Sequence, residues 1–241
     1  MVAEKKKTIV LYCLLAVALV GILSSTILGV YNAKAIHTLQ DAAGISPDGE
    51  TQEDNVGIMN NEYRIVSTLP ISDAYKSGNT ASLSNKQKET LEMASAVLDE
   101  IITEDMSDYE KEKAVYEWMT TELTQDWGVL QVIPQSGEDR DNPYGVLKYH
   151  DAVCVGYATT FRLFMQMMDI ECMVVHNLDK YHSWNLVKLD GNWYHVDTSS
   201  DQGEATYANF NMNDDLAAYG HDWDQEFFPA ATSLEYNYAY Q

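Results

Sequence analysis

Three side chains that could together perform nucleophilic chemistry occur in order along the chain. Cys154 offers a thiol, His182 an imidazole and Asp197 a carboxylate. In such a set the thiolate attacks a carbonyl carbon, the imidazole takes the thiol proton, and the carboxylate orients the imidazole. The order and residue types therefore predict acyl transfer, provided that the fold brings the three groups together.

A predicted β-hairpin brings the imidazole to the carboxylate. Asp190-Gly191 is a two-residue turn signal between two β-rich runs. With this turn, Asp197 lies opposite Trp184, and His182 becomes its diagonal neighbour with Cα atoms roughly 7–8 Å apart. A slip of one residue in the pairing would put the two groups on opposite faces of the hairpin.

Cys154 is predicted to lie at the start of a buried helix, at about residues 153–168. Apolar side chains occupy nearly every face of this run, which is typical of a helix inside a core. We expect the start of the helix to pack over the hairpin face that carries His182. The helix dipole and an imidazolium would then both favour the thiolate, and the backbone N–H of Cys154 could bind an oxyanion.

The other elements predict an α+β fold, with N-terminal helices packed on an antiparallel sheet. Capping boxes at Ser84–Gln87 and Ser107–Glu110 predict two amphipathic helices, at about 84–103 and 107–123. The predicted strands follow the third helix and are Cys172–Val175, Trp184–Leu189, Asn192–Asp197 and an edge strand around Tyr236 and Tyr238.

Three motifs resemble those of the transglutaminase-like superfamily, the papain-related group with a Cys-His-Asp triad. They are Cys154-Val155-Gly156-Tyr157, His182-Ser183-Trp184-Asn185 and Gly191-Asn192-Trp193-Tyr194-His195-Val196-Asp197. The chain is identified as a bacterial, membrane-anchored member, similar over about Tyr109 to Asp201. The resemblance implies a papain-like core and thioester chemistry without metal or organic cofactor. It also implies Cys154 as nucleophile, His182 as general base and acid, and Asp197 as the orienting group.

The superfamily includes transglutaminases, proteases, deamidases and amidases, and a shared fold does not choose among them. We therefore expect an enzyme that attacks amide bonds of protein or peptide substrates and passes the acyl group to water or an amine. The alternative is a catalytically silent module that binds or scaffolds at the cell surface. Thr198–Asp201 motivates it, because many members of the superfamily carry a tryptophan shortly after the aspartate.

Other assignments of these residues remain open. His195 is a rival for the general base. His176, His182, His195 and Cys154 could together form a zinc site, although no pair of them has a typical metal-binding spacing. A disulfide between Cys154 and Cys172 would remove the nucleophile.

The N-terminal sequence predicts export. Thr8–Val30 is uncharged and exceeds the roughly 20 residues that span a bilayer, and Lys5–Lys7 before it places the N-terminus inside. If the segment is instead a signal peptide cleaved at Ala33–Ala35, the domain is secreted. The predicted organisation is an anchor or signal over 1–35, an extracytoplasmic tether over 36–83, and a transglutaminase-like domain over 84–241.

The charge of the chain limits its partners. A net charge of −22, from 15 basic and 37 acidic residues, opposes binding to nucleic acid or to an anionic membrane surface. The expected partners are a protein or peptide substrate at the cell wall or surface, and the membrane through the N-terminal segment.

Overall fold

The computed structural model of the chain describes residues 58–60, 63–125, 139–177, 182–203 and 206–240. The chain divides into two units, Met1–Asp48 and Gly49–Gln241, and every described residue belongs to the second. The predicted membrane segment and the predicted cleavage site lie outside the described residues. Among the helices that are described, none combines the length and apolar character needed to cross a membrane.

Six α-helices occur in the described part of the chain. They are α1 (Leu69–Ser77), α2 (Asn85–Ile101), α3 (Asp108–Glu122), α4 (Pro143–Tyr149), α5 (Cys154–Met167) and α6 (Asp214–Ala217). The hydroxyls of Ser84 and Ser107 each accept the backbone N–H three residues later. The side chains of Gln87 and Glu110 in turn accept the backbone N–H of the serine. Both predicted capping boxes are therefore confirmed.

The strands form one three-stranded sheet and two short pairs. The short pairs join β1 (Ile58–Asn60) to β2 (Tyr63–Arg64) and β3 (Thr124–Gln125) to β4 (Asp151–Ala152). The larger sheet is antiparallel, in the order β5 (Cys172–His176), β6 (Ser183–Leu189) and β7 (Asn192–Val196). Helices and an antiparallel sheet confirm the predicted α+β class.

The turn between β6 and β7 fixes the register of the hairpin. Asp190 and Gly191 have φ of 48° and 83°, as the two central residues of a type I′ turn require. Leu189 pairs with Asn192, and the ladder continues without a slip. The predicted register is therefore confirmed.

The segment predicted as a tether, 36–83, includes a helix that the sequence pattern missed. Ile71 and Ala74 of α1 are buried in the main core, and Arg162 Nε on α5 donates to Thr68 Oγ1 at 3.0 Å. Helix α1 has only nine residues and few bulky apolar side chains, so its periodicity is weak. A polar contact with a buried arginine contributes to holding it on the domain.

The predicted edge strand near the C-terminus is wrong. Tyr238–Tyr240 forms a 3₁₀-helix. Tyr236 stacks on Tyr109, with ring centroids 4.8 Å apart, and Tyr238 stacks on Tyr207 at 4.1 Å. The alternating tyrosines therefore serve ring stacking and not strand pairing.

The two faces of the sheet pack against different parts of the chain. Val187 and Val196 share the main core with Tyr157 and other side chains of α5. Trp184 and Leu186 lie on the other face, in a second core with Met173, Trp223 and Phe228. We expected the start of α5 to lie over the face of Trp184 and His182. The helix lies on the opposite face, with Val187 and Val196. Its first residue, Cys154, meets His182 at the end of the sheet away from the Asp190–Gly191 turn.

Candidate active site

Cys154 is the first residue of α5, and glycine at position 156 allows it to lie there. The N-cap residue Val153 is extended and supplies no side-chain cap. Val153 N donates to the Arg140 carbonyl at 3.1 Å, and a Cβ on Gly156 would lie 2.1 Å from that same oxygen. The first turn of α5 therefore approaches the Arg140 backbone more closely than any residue with a side chain allows.

His182 is positioned by backbone hydrogen bonds just before β6 begins. Its N–H donates to Asn177 Oδ1 at 2.9 Å, and the Asn177 N–H donates to the His182 carbonyl at 3.1 Å. The imidazole stacks on the Trp184 indole, with centroids 5.8 Å apart and planes inclined by 19°. The His182 side chain remains 28% exposed, so a small molecule can approach the ring from solvent.

The three predicted site residues are neighbours. His182 Nε2 lies 2.6 Å from Asp197 Oδ2, and the His182 ring is also hydrogen-bonded to the Cys154 thiol. Because the carboxylate engages Nε2, Nδ1 is the nitrogen that remains for the thiol proton. Burial lowers the pKa of His182, but the Asp197 charge and the hydrogen bonds to Asp197 and Cys154 outweigh it and raise the pKa from 6.5 to about 10.

Asp197 is buried and fixed by the two serines that follow it. Its Oδ1 accepts the Ser199 N–H and the Ser200 N–H, both at 3.1 Å, and the Ser199 hydroxyl at 2.8 Å. Its Oδ2 accepts the Ser200 hydroxyl at 2.7 Å. Burial alone would raise the pKa of Asp197, but His182 and His221 hold it well below 3.8. Ser199 and Ser200 therefore anchor the carboxylate.

His221 is a member of the site that the sequence analysis missed. It lies after α6, and its Nε2 approaches the same Asp197 Oδ2 at 2.9 Å. Its ring lies 5.6 Å from that of His182 and 4.6 Å from that of Trp184, between centroids. A histidine 24 residues beyond Asp197 carries no local pattern that would have indicated this contact.

His195, the rival base, points to a different acid. Its Nδ1 accepts from Trp184 Nε1 at 3.0 Å, and its Nε2 contacts Asp214 Oδ1 at 3.0 Å. Burial lowers the pKa of His195 against the opposing effect of Asp214. A neutral His195 therefore holds the Trp184 indole beneath the rings of His182 and His221.

The other cysteine of the described region is separate from this site. Cys154 and Cys172 are both free, so no disulfide joins them. Cys172 is buried against Asn185, whose Nδ2 lies 3.6 Å from the sulfur. Burial raises the pKa of the Cys172 thiol and keeps it in the unreactive protonated form.

One group of side chains in the described residues has the composition of a metal site. His182, Asp197 and His221 offer one ligand atom each, all within 4.8 Å of one another. Two ligands of a tetrahedral zinc ion would be about 3.3 Å apart. The contacts of 2.6 and 2.9 Å are shorter and match hydrogen bonds, so the group shares protons in this arrangement. The alternative zinc set considered from sequence was His176, His182, His195 and Cys154, and of these only His182 belongs to the group that the described residues form.

Comparisons with known proteins agree with the motifs. Residues 95–198 match the family model described as the transglutaminase-like superfamily. Kyphoscoliosis peptidase of Homo sapiens is 25% identical over 128 residues, which cover 46% of this chain and 19% of the human protein. The Mus musculus protein of that name is 22% identical over 121 residues, covering 44% of this chain and 18% of the mouse protein.

A solved structure described as "Crystal structure of a TGase" is also similar. It aligns with a TM-score of 0.38 and 18% identity, over 53% of this chain and 36% of that chain. In the two alignments with kyphoscoliosis peptidase, this chain spans less than a fifth of the length of the human and mouse proteins.

Proposed function

We propose that the transglutaminase-like domain matched over residues 95–198 is a cysteine-dependent acyl-transfer enzyme that acts on amide bonds of protein or peptide substrates. The observation that carries the proposal is the continuous chain of contacts from Cys154 through His182 to Asp197. A buried carboxylate that holds a histidine at 2.6 Å beside a thiol is the arrangement that activates a cysteine nucleophile.

In the first half of the reaction, Cys154 Sγ attacks the carbonyl carbon of the amide and its proton passes to His182. The carbonyl oxygen becomes an oxyanion, and the Cys154 N–H at the start of α5 can donate to it, since the first N–H groups of a helix have no intrahelical partner. His182 then gives the proton to the leaving nitrogen as the C–N bond breaks. A thioester remains on Cys154.

In the second half, water or a primary amine attacks the thioester carbon, and His182 takes a proton from the attacking group. The C–S bond breaks, the proton returns to sulfur, and the product is a carboxylic acid or a new amide. Both outcomes use the same residues, so the protein works as a hydrolase or as a transamidase according to which acceptor reaches the site. The word peptidase in the names of two relatives favours protein or peptide substrates.

The proposed location follows from the N-terminal sequence alone. The uncharged run at 8–30 supports a membrane protein with its enzyme domain outside the cell, or a secreted one if the run is cleaved. Substrates would then be proteins or peptides of the cell wall or surface. N-terminal sequencing of the mature protein separates the anchored form from the cleaved form.

Alkylation of the full chain by a small neutral thiol reagent at pH 7 tests the chemistry. Peptide mass spectrometry then compares Cys154 with Cys172, which serves as the internal unreactive thiol. We expect Cys154 to be modified at least tenfold faster, because of these two thiols it is Cys154 that lies beside a histidine–carboxylate pair. Equal rates at the two cysteines would remove the nucleophile and the proposal with it.

A second experiment detects the intermediate. The chain is incubated with glutamine-containing peptides, quenched in acid and searched for a thioester on Cys154. The Cys154→Ser variant, which differs by one atom, serves as the matched control. Absence of any acyl adduct, together with full biological activity of Cys154→Ser, would count against an enzyme.

A further inference from the structure

Trp184 determines which nitrogen of His195 carries hydrogen. The indole N–H of Trp184 lies 3.0 Å from His195 Nδ1, and an indole nitrogen can only donate. Nδ1 must therefore present its lone pair, and the single hydrogen of the neutral ring lies on Nε2. That nitrogen is 3.0 Å from Asp214 Oδ1, which accepts it. Asp214 and His221 are the titratable groups that act on this ring among the described residues, and burial lowers the pKa of His195 and favours its neutral form.

Backbone hydrogen bonds anchor both members of the His195–Asp214 pair. Asp214 Oδ1 also accepts the Ala231 N–H at 3.1 Å, and the Asp214 N–H donates to the Ala231 carbonyl at 2.7 Å. The backbone of His195 exchanges two hydrogen bonds with that of Met212, at 2.8 and 2.9 Å. The His195 ring therefore cannot turn without losing its hydrogen bonds at both ends.

The indole that His195 holds lies against the ring of the proposed general base. Trp184 is 1% exposed, and its plane is inclined by 19° to that of His182, with centroids 5.8 Å apart. Trp223 packs on the His195 ring with centroids 4.5 Å apart and meets Trp184 edge-on at 6.2 Å. A rotation of the Trp184 indole would therefore remove the surface on which the His182 ring stacks.

The plane of the His182 ring matters because two contacts must hold at the same time. Its Nε2 lies 2.6 Å from Asp197 Oδ2, and the ring is also hydrogen-bonded to the Cys154 thiol. Hydrogen bonds weaken steeply when they bend, so a tilt of the ring weakens both. The backbone contacts with Asn177 hold the main chain of His182 and leave the ring free to tilt. Stacking on Trp184 restricts that tilt.

From this we infer that His195 and Asp214 are positioning residues: a second histidine–carboxylate pair that holds the Trp184 indole, which in turn fixes the plane of the His182 ring. The inference rests on the proposed function, because it assigns a role within the same site. No described contact joins His195 or Asp214 to Cys154, so both act through Trp184. It gives His195, considered from sequence as a rival base, a different role.

Two substitutions of His195 separate its hydrogen bond from its packing. In His195→Asn the side-chain oxygen can still accept the Trp184 N–H, because this oxygen and Nδ1 are both bonded to Cγ. In His195→Phe a ring remains but the acceptor is lost. Both variants disturb a fully buried position and leave Asp214 without its partner, so both should melt at a lower temperature. Only His195→Phe should disturb His182.

Two substitutions of Asp214 test the other end of the pair. In Asp214→Asn the oxygen that accepts the Ala231 N–H also accepts from His195, so the hydrogen on His195 Nε2 keeps its partner. Asp214→Ala removes this acceptor and should disturb His182 in the same direction as His195→Phe, but less, because the Trp184 hydrogen bond remains. Asp215→Ala, at the exposed next residue of α6, is the matched control and should behave like the wild type.

Ring-¹⁵N NMR of the full chain is the first measurement, since the chain contains only six histidines. At pH 7 we expect wild-type His195 to show hydrogen on Nε2 and none on Nδ1. Contact with Asp197 raises the pKa of His182, so a tilted ring loses part of that effect. In His195→Phe the midpoint of the His182 titration should therefore fall by on the order of one pH unit, whereas His195→Asn and Asp214→Asn should retain the wild-type midpoint.

The rate of Cys154 alkylation, measured at pH 7 well below the melting temperature of each variant, is the second readout. His195→Phe should react about tenfold more slowly than the wild type, in line with the shift in the midpoint, and His195→Asn should recover most of the rate. A role of His195 in folding alone would lower the melting temperature of both variants and leave the His182 midpoint and the alkylation rate unchanged.

Three results would overturn the inference: hydrogen on Nδ1 of wild-type His195, an unchanged His182 midpoint in His195→Phe, or an equal fall of the midpoint in His195→Asn. These outcomes are separate from failure of the proposed function. An unreactive Cys154 in the wild type would end the enzyme proposal, while the NMR titrations would still decide whether His195 fixes the ring of His182.

Discussion

Replacing Asp197 by asparagine tests how the carboxylate controls the proton on His182. The backbone N–H groups of Ser199 and Ser200 both point at Oδ1 and cannot rotate away. The introduced side-chain amide must therefore turn its oxygen toward them and its NH₂ group toward His182 Nε2. His182 then has to accept at Nε2, which leaves the hydrogen on Nδ1, facing the Cys154 thiol. The ring can no longer take the thiol proton.

The size of the effect follows from the pKa of His182. Burial lowers the pKa of His182, while Asp197 and, to a smaller extent, Cys154 raise it from 6.5 to about 10, so loss of the Asp197 charge should lower it. The full shift corresponds to on the order of a thousandfold in the stability of the imidazolium, and Asp197 makes the larger favourable contribution to it. We therefore expect alkylation of Cys154 in Asp197→Asn at pH 7 to be slower by about 10²–10³.

The assay is the rate of Cys154 modification from pH 5 to pH 10, with Cys172 as the internal reference. Asp222→Asn makes the same substitution at an exposed position beside His221 and should react like the wild type. Circular dichroism confirms that the variants are folded. If Asp197→Asn reacts within threefold of the wild type and keeps its pH profile, the carboxylate does not control the proton and the reasoning fails.

Two further predictions concern stability. Burial raises the pKa of Glu112 from 4.5 to about 8, although Asn211 donates to its Oε2 at 3.0 Å. The folded state therefore keeps a proton that the unfolded chain releases above pH 4.5, so the stabilisation is complete below pH 4.5 and is lost as the pH rises toward 8. Urea titrations at pH 5 and pH 8 measure the effect: Glu112→Gln should lose this decline in stability and be more stable than the wild type at pH 8 by a few kcal/mol. An equal decline in both proteins would contradict a raised pKa for Glu112. In Gly156→Ala the added Cβ would lie 2.1 Å from the Arg140 carbonyl oxygen, so the free energy of unfolding should fall by about 1–3 kcal/mol or more and Cys154 alkylation should slow. Gly220→Ala, with open space around the added Cβ, is the control and should change neither quantity. Similar melting temperatures for the two variants would refute the packing argument.

The hairpin could be predicted from sequence because its determinants are local. Asp190 and Gly191 select a type I′ turn, the turn fixes which residues pair, and the pairing brings His182 to Asp197. Both capping boxes were predictable for the same reason, since a serine and a residue three positions later form them alone. In each case a few neighbouring residues determine the geometry.

The parts of the site that sequence reasoning missed depend on residues far apart in the chain. The side of the sheet on which α5 packs is decided by the whole core, and the pattern of α5 is apolar on nearly every face. His221 reaches Asp197 from beyond α6, through a turn that closes on Ala217. Ser199 and Ser200, in contrast, could have been predicted from sequence, because they follow Asp197 by two and three residues and such local polar contacts are common.

This division between local and distant contacts runs through Asp197 itself. Oδ1 is held by Ser199 and by the backbone of Ser200, which fix where the carboxylate lies. Oδ2 receives His182 and His221 from other parts of the fold, and these contacts decide how tightly the working proton is held. A substitution that weakens the Oδ1 contacts should misplace the acid and slow the reaction at every pH. One that removes the His221 contact at Oδ2 should move the pH range in which the protein reacts. Comparing Ser199→Ala with His221→Phe in one alkylation series separates these two effects, and identical pH profiles with different rates in both variants would show that the two oxygens have no separate roles.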